Sequence, residues 1–264
     1  MKLKEGIYEQ VISNKIHEEI KNRENEINIH KEEIEKEEAK IVLSKYLQEV
    51  TKKSLNLMKN KDLNKQIELC NQIINYLSTQ VEDEEIKENN IHKNGEILLS
   101  IEEKLNKSKI KNNNIRPITP ISQSYLFTNS NNEPDLINEL KREIASSDSI
   151  DILVSFIRWS GLRLIKDELI EHTKTKKLRI ITTSYMGASE FRAIKFLSQL
   201  PNTEIKISYD TQRTRLHAKS YMFNRNTGFT TAYIGSSNIS KDAMTTGLEW
   251  NMKVSEKDSK NIVD

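Results

Sequence analysis

Hydrophobic residues recur with two different periods along this chain, and the period changes near residue 115. Before that point apolar side chains follow helical spacing, which predicts several helices and an all-α N-terminal region over residues 1–107. The apolar sets are Ile7, Val11 and Ile12; Ile41, Leu43 and Leu47; Ile67, Ile73, Ile74 and Leu77; and Ile97, Leu98 and Ile101.

Beyond residue 124, short β-branched runs alternate with amphipathic helical segments. This order predicts an α/β domain over residues 125–264, built as a mixed β-sheet flanked by helices on both faces, with right-handed crossovers. The segment 108–124 is rich in Asn and Lys, contains two prolines and predicts a linker. Strands are predicted at 150–156, 178–184, 204–210, 216–223, 231–236 and 248–254, and helices at EPDLINELKREIA, GLRLIKDELIEHTK, ASEFRAIKFLSQL and SKDAM.

Charge and composition narrow the class of protein. From Arg116 onward the chain carries 21 Lys and Arg against 17 Asp and Glu, so this part is mildly basic, which permits binding to nucleic acid. The single cysteine, Cys70, cannot form an internal disulfide, and we expect a cytoplasmic protein. The sequence has no apolar run long enough for a signal peptide or a membrane span, so we expect no membrane association.

The strongest chemical signal is His217 and Lys219, followed by the run Gly235-Ser236-Ser237-Asn238. On a strand, His217 and Lys219 would share a face about 6.6 Å apart and could reach one phosphate. An imidazole can attack phosphorus, a lysine ammonium stabilises the phosphoryl oxygens, and a polar turn that opens a helix can bind an anion. Each piece alone is weak, because H-x-K is common and S-S-N often only caps a helix.

That chemistry needs no metal, and the sequence has no H-E-x-x-H motif and no Cys/His cluster. It has no G-x-x-x-x-G-K-[ST] loop for ATP either. PDLINELK imitates part of a metal-nuclease signature, but its spacing is too short and it falls on a predicted helix. We therefore expect no metal and no cofactor.

H-x-K followed by G-S-x-N resembles the phospholipase D superfamily, and the resemblance covers about Arg116 to Val254. The strings RPITPISQSYLF, LVSFIRWSG, ITTSYMGA and RTRLHAKSYMF through GLEWNMKV are similar to the phospholipase D-like domain N-terminal to bacterial superfamily 2 (DEAD/DEAH-type) helicases. The opening MKLKEGIYEQVI resembles the start of the same proteins. The resemblance implies a phospholipase D-like fold and metal-independent phosphoryl transfer through a phosphohistidine.

The resemblance also assigns roles to residues. His217 would be the nucleophile, Lys219 and Asn238 would bind the phosphate, Ser236 would assist, and Glu249 would orient a histidine. One position departs from the family pattern: Asn224 stands where the family has an Asp five residues after the lysine, and the spacing from there to Gly235 is longer than usual.

The mechanism requires two histidines, one to attack and one to act as general acid and then base, but only one H-x-K, that of His217 and Lys219, falls on a predicted strand ahead of the G-S-x-N turn. Of the remaining histidines, His17, His30 and His92 have no lysine at this spacing, and His172, which precedes Lys174, falls on the predicted helix GLRLIKDELIEHTK and lacks the turn. A two-fold dimer would bring two copies of His217 together, so we predict a homodimer with one composite site.

Further candidates for substrate binding surround these motifs. Arg213 and Arg215 could hold flanking DNA phosphates or be solvated residues at a strand edge. Arg158 and Trp159 follow the first long strand, where loops gather around ligands, although Trp159 fits a core position equally well. Ser237 belongs to the polar turn and is a candidate for the same reason.

Three functions fit these observations. The leading hypothesis is a DNA endonuclease in repair or in antiviral defence against phage DNA, working with a helicase fused downstream or supplied as a partner. A phospholipid hydrolase is less favoured, because the chain shows no apolar interfacial helix and only one half-site. The third is a catalytically weak dimerisation and DNA-binding module of a helicase.

Overall fold

The protein is described here by a computed structural model, which covers residues 3–23, 25–58, 62–101, 115–130, 134–210 and 216–260. The chain divides into two compact units, Met1–Glu103 and Lys104–Asp264. The β-sheet and both sequence motifs lie in the second unit.

The described secondary structure of the N-terminal unit is helical, as its apolar spacing predicts. Three of its helices begin where a short polar side chain accepts a hydrogen bond from the first turn, namely Ser13, Asp62 and Asp83. Such caps fix where a helix starts when the apolar pattern alone leaves the boundary open. The helices are α1 (Asn14–Asn22), α2 (Ala39–Leu57), α3 (Leu63–Val81) and α4 (Glu84–Glu88).

Two of the four apolar sets do not form helices. Ile7, Val11 and Ile12 precede the cap at Ser13, and the segment from Ile97 to Ile101 has no regular secondary structure. Ile7, Ile97, Leu98 and Ile101 are largely exposed. A short segment without a packed face does not recover the cost of helix nucleation, which explains both differences.

The described residues of the C-terminal unit form seven strands and four α-helices. All six predicted strands are present within a few residues of their expected bounds, and a short additional strand, β1, precedes them. The strands are β1 (Tyr125–Phe127), β2 (Ser149–Leu153), β3 (Lys177–Thr183), β4 (Thr203–Ser208), β5 (Ser220–Asn224), β6 (Thr231–Gly235) and β7 (Asn251–Ser255). The helices are α5 (Leu136–Ser146), α6 (Trp159–Thr173), α7 (Phe191–Ser198) and α8 (Lys241–Met244).

The strands form one mixed sheet in the order β1-β7-β6-β5-β2-β3-β4. β2, β3 and β4 are parallel, whereas β5, β6, β7 and β1 are joined by antiparallel pairing. The predicted mixed α/β sheet is thus confirmed. In this topology β2 and β6 end at the same edge at which β5 and β7 begin, and we call it the motif edge.

Side chains from all four helices join one core cluster on a single face of the sheet, the face that carries Ile152, Ile180, Phe223 and Tyr233. Helices were expected on both faces. The difference follows from strand order, since β2, β3 and β4 advance in one direction and right-handed crossovers then place α6 and α7 on the same side. The alternating exposure along β3 agrees with one buried face. On the opposite face, partly exposed apolar side chains include Leu126, Ile181, Ile234 and Met252.

A group of buried charges crosses the core beneath the antiparallel half of the sheet, and we call Glu139, Glu143, Arg225 and Lys253 the ion-pair cluster. Lys253 Nζ lies 3.3 Å from Glu139 Oε1 and 3.5 Å from Glu143 Oε1. Arg225 Nη2 donates to Glu143 Oε2 at 2.6 Å. Two anions balance two cations, so the group carries no net charge although water is excluded from it.

Neutral side chains complete the coordination of the cluster. Thr231 Oγ1 and Tyr233 Oη each donate to Glu143 at 2.9 Å. Burial raises the pKa of the Tyr233 phenol, and the neighbouring carboxylates raise it further. The phenol is therefore protonated at neutral pH and donates a hydrogen bond to Glu143.

The segment before β1 is attached to the same cluster. Thr119 is buried, its hydroxyl and backbone N–H donate to Glu139, and its Oγ1 accepts from Lys253 Nζ at 2.7 Å. The segment 118–124, which the sequence assigns to the linker, therefore packs as part of the C-terminal unit. Residues 108–114 of that linker lie outside the described residues.

Asn224, the departure from the family pattern, lies at the end of β5 that is remote from the motif edge. Its Nδ2 donates to Asp151 Oδ2 at 2.9 Å, and Asp151 is also paired with Arg179. An amide suits this position because it donates to the carboxylate, which an aspartate at position 224 would repel.

We predict that Glu143→Gln lowers the free energy of unfolding by about 3–5 kcal/mol, because the substitution leaves two buried cations with one carboxylate. Chemical denaturation followed by circular dichroism measures this. The control is Glu171→Gln, which affects an exposed ion pair with Lys174 and should cost at most about 1 kcal/mol. Equal losses in the two variants would contradict a structural role for the cluster.

We also predict that Asn224→Asp destabilises the protein by about 1 kcal/mol at neutral pH, since a hydrogen bond to Asp151 is replaced by carboxylate repulsion. The repulsion raises the pKa of the introduced carboxyl group, so the deficit should shrink as the pH falls and that group is protonated. Thermal unfolding between pH 4 and pH 8 tests this, and a variant as stable as the parent throughout would refute it.

Candidate active site

Four segments from the two motifs and their neighbours meet at the motif edge. β2 continues into Ser155 and Phe156, β6 continues into Ser236–Asn238, His217 and Lys219 precede β5, and Glu249 precedes β7. They converge because antiparallel pairing brings the start of one strand beside the end of the next. Gly235 N–H donates to Lys219 O at 3.2 Å, which joins the two motifs directly.

His217 and Lys219 are in direct contact. Lys219 Nζ lies 3.0 Å from His217 Nδ1, 3.1 Å from its Nε2 and 2.7 Å from its carbonyl oxygen. A strand was predicted from residue 216, but β5 begins at Ser220, so the pair lies in the segment that leads into the strand. The lysine side chain folds back toward the histidine, and the two groups are closer than side chains extended along one strand face would be.

The two residues differ in their access to solvent. The imidazole of His217 is exposed, whereas Lys219 is buried. Burial lowers the pKa of the Lys219 ammonium, and the negative charge of Glu249 opposes that effect. Glu249 thus acts electrostatically on the lysine of the motif, and the imidazole is the more accessible group of the pair.

The turn after β6 depends on Gly235. A Cβ atom at this position would lie 2.1 Å from the carbonyl oxygen of Trp250, so no other residue fits without moving β7. Ser236 is exposed and pairs with Trp250, its backbone N–H donating to the Trp250 carbonyl and its Oγ accepting from the Trp250 N–H, each at 3.1 Å. The hydroxyl of Ser236 therefore lies at the surface of the motif edge.

Asn238 connects the two halves of the sheet. Its Oδ1 accepts hydrogen bonds from the backbone N–H groups of Ser155 at 3.0 Å and Phe156 at 3.1 Å. Because the amide is planar and its oxygen faces that loop, its Nδ2 is turned to the other side of the group. Asn238 therefore positions the loop after β2 and retains a donor for an anion.

Ser237 has a different environment. It is buried, its Oγ donates to the carbonyl of Ala243, and it accepts from Asn251 Nδ2 at 2.8 Å. These contacts hold the turn against α8 and β7. They give its hydroxyl a structural function, in contrast to the exposed hydroxyl of Ser236.

The helix that follows the turn contributes less to anion binding than the sequence suggests. α8 has four residues, and Ser240 caps it by accepting from the N–H of Ala243. Such a short helix has only a small dipole, and one of its free N–H groups is already bonded. The side chains of Lys219 and Asn238, rather than a helix terminus, are the donors available for a phosphate.

Arg158 lies beside this turn. Its backbone N–H donates to the carbonyl of Ile239 at 2.8 Å, and its exposed guanidinium lies 5.5 Å from the ring centre of Phe156. Trp159 instead packs against the core cluster, with an edge contact to Phe196 and the guanidinium of Arg192 over its ring. Arg213 and Arg215 lie outside the described residues.

The structure adds residues that the sequence did not single out. Ser155 has a buried Oγ without a hydrogen-bond partner among the described residues, immediately beside the amide that Asn238 binds. Tyr221 is buried and donates to the carbonyl of Ser237 at 2.9 Å; burial raises the pKa of its phenol, and the negative charge of Glu249 raises it further. Ser155 follows a strand that carries no motif, and Tyr221 occupies an alternating position typical of a core residue. The sequence around them therefore did not mark either residue as part of the site.

Within the described ranges, no group of three His, Cys, Asp or Glu side chains could hold a metal ion. The same ranges contain no helix that is long and apolar enough to cross a bilayer.

Comparison with known proteins places this geometry in context. Residues 140–264 match the family model described as the cardiolipin synthase, phospholipase D-like domain. None of the curated proteins matches the sequence.

Several solved structures resemble the chain. NucT from Helicobacter pylori is 22% identical with a TM-score of 0.40, over 52% of this chain and 87% of that one. Nuc from Salmonella typhimurium, a phospholipase D family member, is 19% identical with a TM-score of 0.39, over 53% and 90%. Yeast tyrosyl-DNA phosphodiesterase is 10% identical with a TM-score of 0.34, over 50% and 31%. The family match over residues 140–264 supports a phospholipase D-like domain of the hydrolase type within the C-terminal unit.

Proposed function

We propose that the C-terminal unit is a metal-independent phosphodiesterase that hydrolyses DNA, with one composite site at the interface of a two-fold dimer. The observation that carries this proposal is the convergence of His217, Lys219 and Asn238 at the motif edge. An exposed imidazole, a buried ammonium and an amide donor are the groups needed to attack and hold a phosphodiester without a metal.

In the first step an imidazole nitrogen of His217 attacks the phosphorus, so an N–P bond forms as the bond to the leaving oxygen breaks. A ring nitrogen that accepts from the Lys219 ammonium carries no proton, and its lone pair becomes free for attack when that hydrogen bond is exchanged for one to the phosphate. Lys219 Nζ then transfers to the non-bridging oxygens, where Asn238 Nδ2 is the second donor. These donors stabilise the charge that grows on those oxygens in the transition state.

The second imidazole comes from a second chain. The partner's His217 protonates the leaving oxygen, then removes a proton from water as the water attacks the phosphohistidine and the N–P bond breaks. Both histidines return to their initial states, and the net reaction is hydrolysis. Two copies are needed because the other histidine that precedes a lysine at this spacing, His172, is buried at the end of α6 against the carbonyl of Ile144.

The choice of DNA rests on the resemblance to helicase-associated domains, with further support from charge. The part of the chain from Arg116 onward is net basic, and Arg158 presents a guanidinium beside the turn that holds Asn238. We propose that the enzyme acts in the cytoplasm with a helicase, in DNA repair or in defence against phage DNA, and that Arg158, Arg213 and Arg215 contact flanking phosphates.

A phospholipid substrate is the second candidate, because the family model that matches carries the description of a cardiolipin synthase. Against it, the helices α5 to α8 direct their apolar side chains into the core cluster, which leaves no described amphipathic helix of this unit for a membrane surface. The third candidate, a DNA-binding module of a helicase, would have no use for an exposed imidazole in contact with a buried lysine.

We predict that the wild-type protein cleaves DNA in EDTA and that His217→Ala lowers the rate by about 10³-fold or more. His217 is exposed, so stability should change by less than about 0.5 kcal/mol. The assay follows nicking of plasmid and cutting of labelled oligonucleotides beside release of headgroup from phosphatidylglycerol vesicles. Protein that binds DNA but never cuts it would favour the module, and headgroup release alone would favour the lipid enzyme.

Asn238→Asp tests whether the side chain of Asn238 is needed for cleavage separately from its role in holding the fold. An aspartate can still accept from the N–H groups of Ser155 and Phe156. It replaces the amide donor with a carboxylate, which would repel the negatively charged phosphate. We expect near-native stability with a loss of cleavage of about 10²-fold or more.

The composite site makes a separate prediction. When wild-type and His217→Ala chains are mixed in equal amounts and allowed to exchange, mixed dimers have one histidine and should be inactive, so activity falls to about half that of the unexchanged mixture. Sedimentation verifies the dimer and the exchange. Activity that stays proportional to the amount of wild-type chain would show that one chain suffices.

A further inference from the structure

The segment leading into β7 presents two large apolar side chains to solvent beside the candidate active site. Leu248 is 90% exposed and Trp250 is 68% exposed, whereas Glu249 between them is partly buried and acts on Lys219 and Tyr221. This is the alternation of an extended segment, with the carboxylate of Glu249 on one side of the segment and the side chains of Leu248 and Trp250 on the other.

The two tryptophans of the chain have opposite environments. Trp159 is held between Phe196 and Arg192 and packs on the core, but the indole of Trp250 has no aromatic or cationic contact with another described residue. Its backbone is nonetheless fixed by the two hydrogen bonds to Ser236. An indole that is exposed on a fixed backbone is ready to bind a flat ligand.

Trp250 also lies at a suitable distance from the phosphate-binding groups. Gly235 bonds to Lys219 on one side and pairs with Asn251 on the other, so residue 251 is two strand spacings, about 10 Å, from Lys219. Trp250 is the next residue, and its backbone is hydrogen-bonded to Ser236. A nucleotide next to the scissile phosphate can reach it.

We propose that Trp250 is a stacking platform for an unpaired nucleobase next to the scissile phosphate, so that the enzyme selects single-stranded or locally opened DNA. This inference rests on the proposed function. Every base offers a π-face to an aromatic ring, which gives affinity with little sequence preference. Within a duplex those faces are covered by neighbouring bases, so stacking on Trp250 requires a strand that is already unpaired.

Binding is tested in His217→Ala protein, which cannot cleave, with single-stranded oligodeoxythymidine and an abasic oligonucleotide of equal length. Trp250→Ala should weaken binding of the base-containing strand by about tenfold, Trp250→Phe should restore most of it, and the abasic strand should bind both proteins equally weakly. In a Trp159→Phe background, the base-containing strand should quench the fluorescence of Trp250.

Leu248→Ala is the matched control, since it removes an exposed apolar side chain two residues away that has no aromatic face. We expect it to leave single-strand affinity within twofold. An equal loss in Leu248→Ala, or a loss in Trp250→Ala that persists with the abasic strand, would overturn the stacking assignment. So would dissociation of the dimer in sedimentation of Trp250→Ala, or a loss of vesicle binding in place of DNA binding, because Trp250 would then serve a subunit or lipid interface.

A cleavage assay distinguishes a failure of the stacking proposal from a failure of the proposed phosphodiesterase activity. In an otherwise wild-type protein, Trp250→Ala should slow cutting of single-stranded DNA at low concentration while the rate on the abasic strand is unchanged. Wild-type protein that cuts no diester in EDTA refutes the proposed phosphodiesterase. Cutting that is insensitive to Trp250 refutes only the platform.

Discussion

The antiparallel half of the sheet depends on the ion-pair cluster. Two carboxylates from α5 meet an arginine from the turn after β5 and a lysine from β7 in a region closed to water. Buried charges of this kind tolerate little displacement, because any shift leaves one of them unpaired in a medium that cannot solvate it. The cluster therefore fixes α5, β5, β6 and β7 relative to one another, and the segment before β1 joins the same group through Thr119.

This constraint has consequences at the motif edge, although the cluster itself contains no residue of the motifs. β5 carries Lys219 at its start, β6 carries the Gly235 turn at its end, and β7 follows Glu249 directly. Fixing the register of these three strands fixes the distances among the ammonium, the turn and the carboxylate. Asn238 then links this half to the parallel half through Ser155 and Phe156. The exposed imidazole of His217 thus rests on a support whose other members are largely buried.

Much of this could be predicted from local pattern. Each of the six predicted strands is present because alternating or continuous β-branched runs reflect burial on a pleated surface. The motif residues were found because H-x-K and G-S-x-N are short and contiguous. β1 was missed because three residues carry too little periodicity, and a helix was predicted around Ile97, Leu98 and Ile101 although these side chains are largely exposed. Trp250 had no signal at all, since exposure cannot be read from a lone aromatic residue.

The sequence by itself determined which residues can perform the chemistry and which segments become strands, because both are properties of a few neighbouring residues. The tertiary structure decided which face of the sheet the helices cover, that Lys219 folds onto His217, that Ser237 is structural, and that Asn238 holds a loop 83 positions away in the chain. These depend on strand order and on contacts between distant segments. Local pattern does not encode them, because a strand of given pattern can pair with any edge that offers a complementary register.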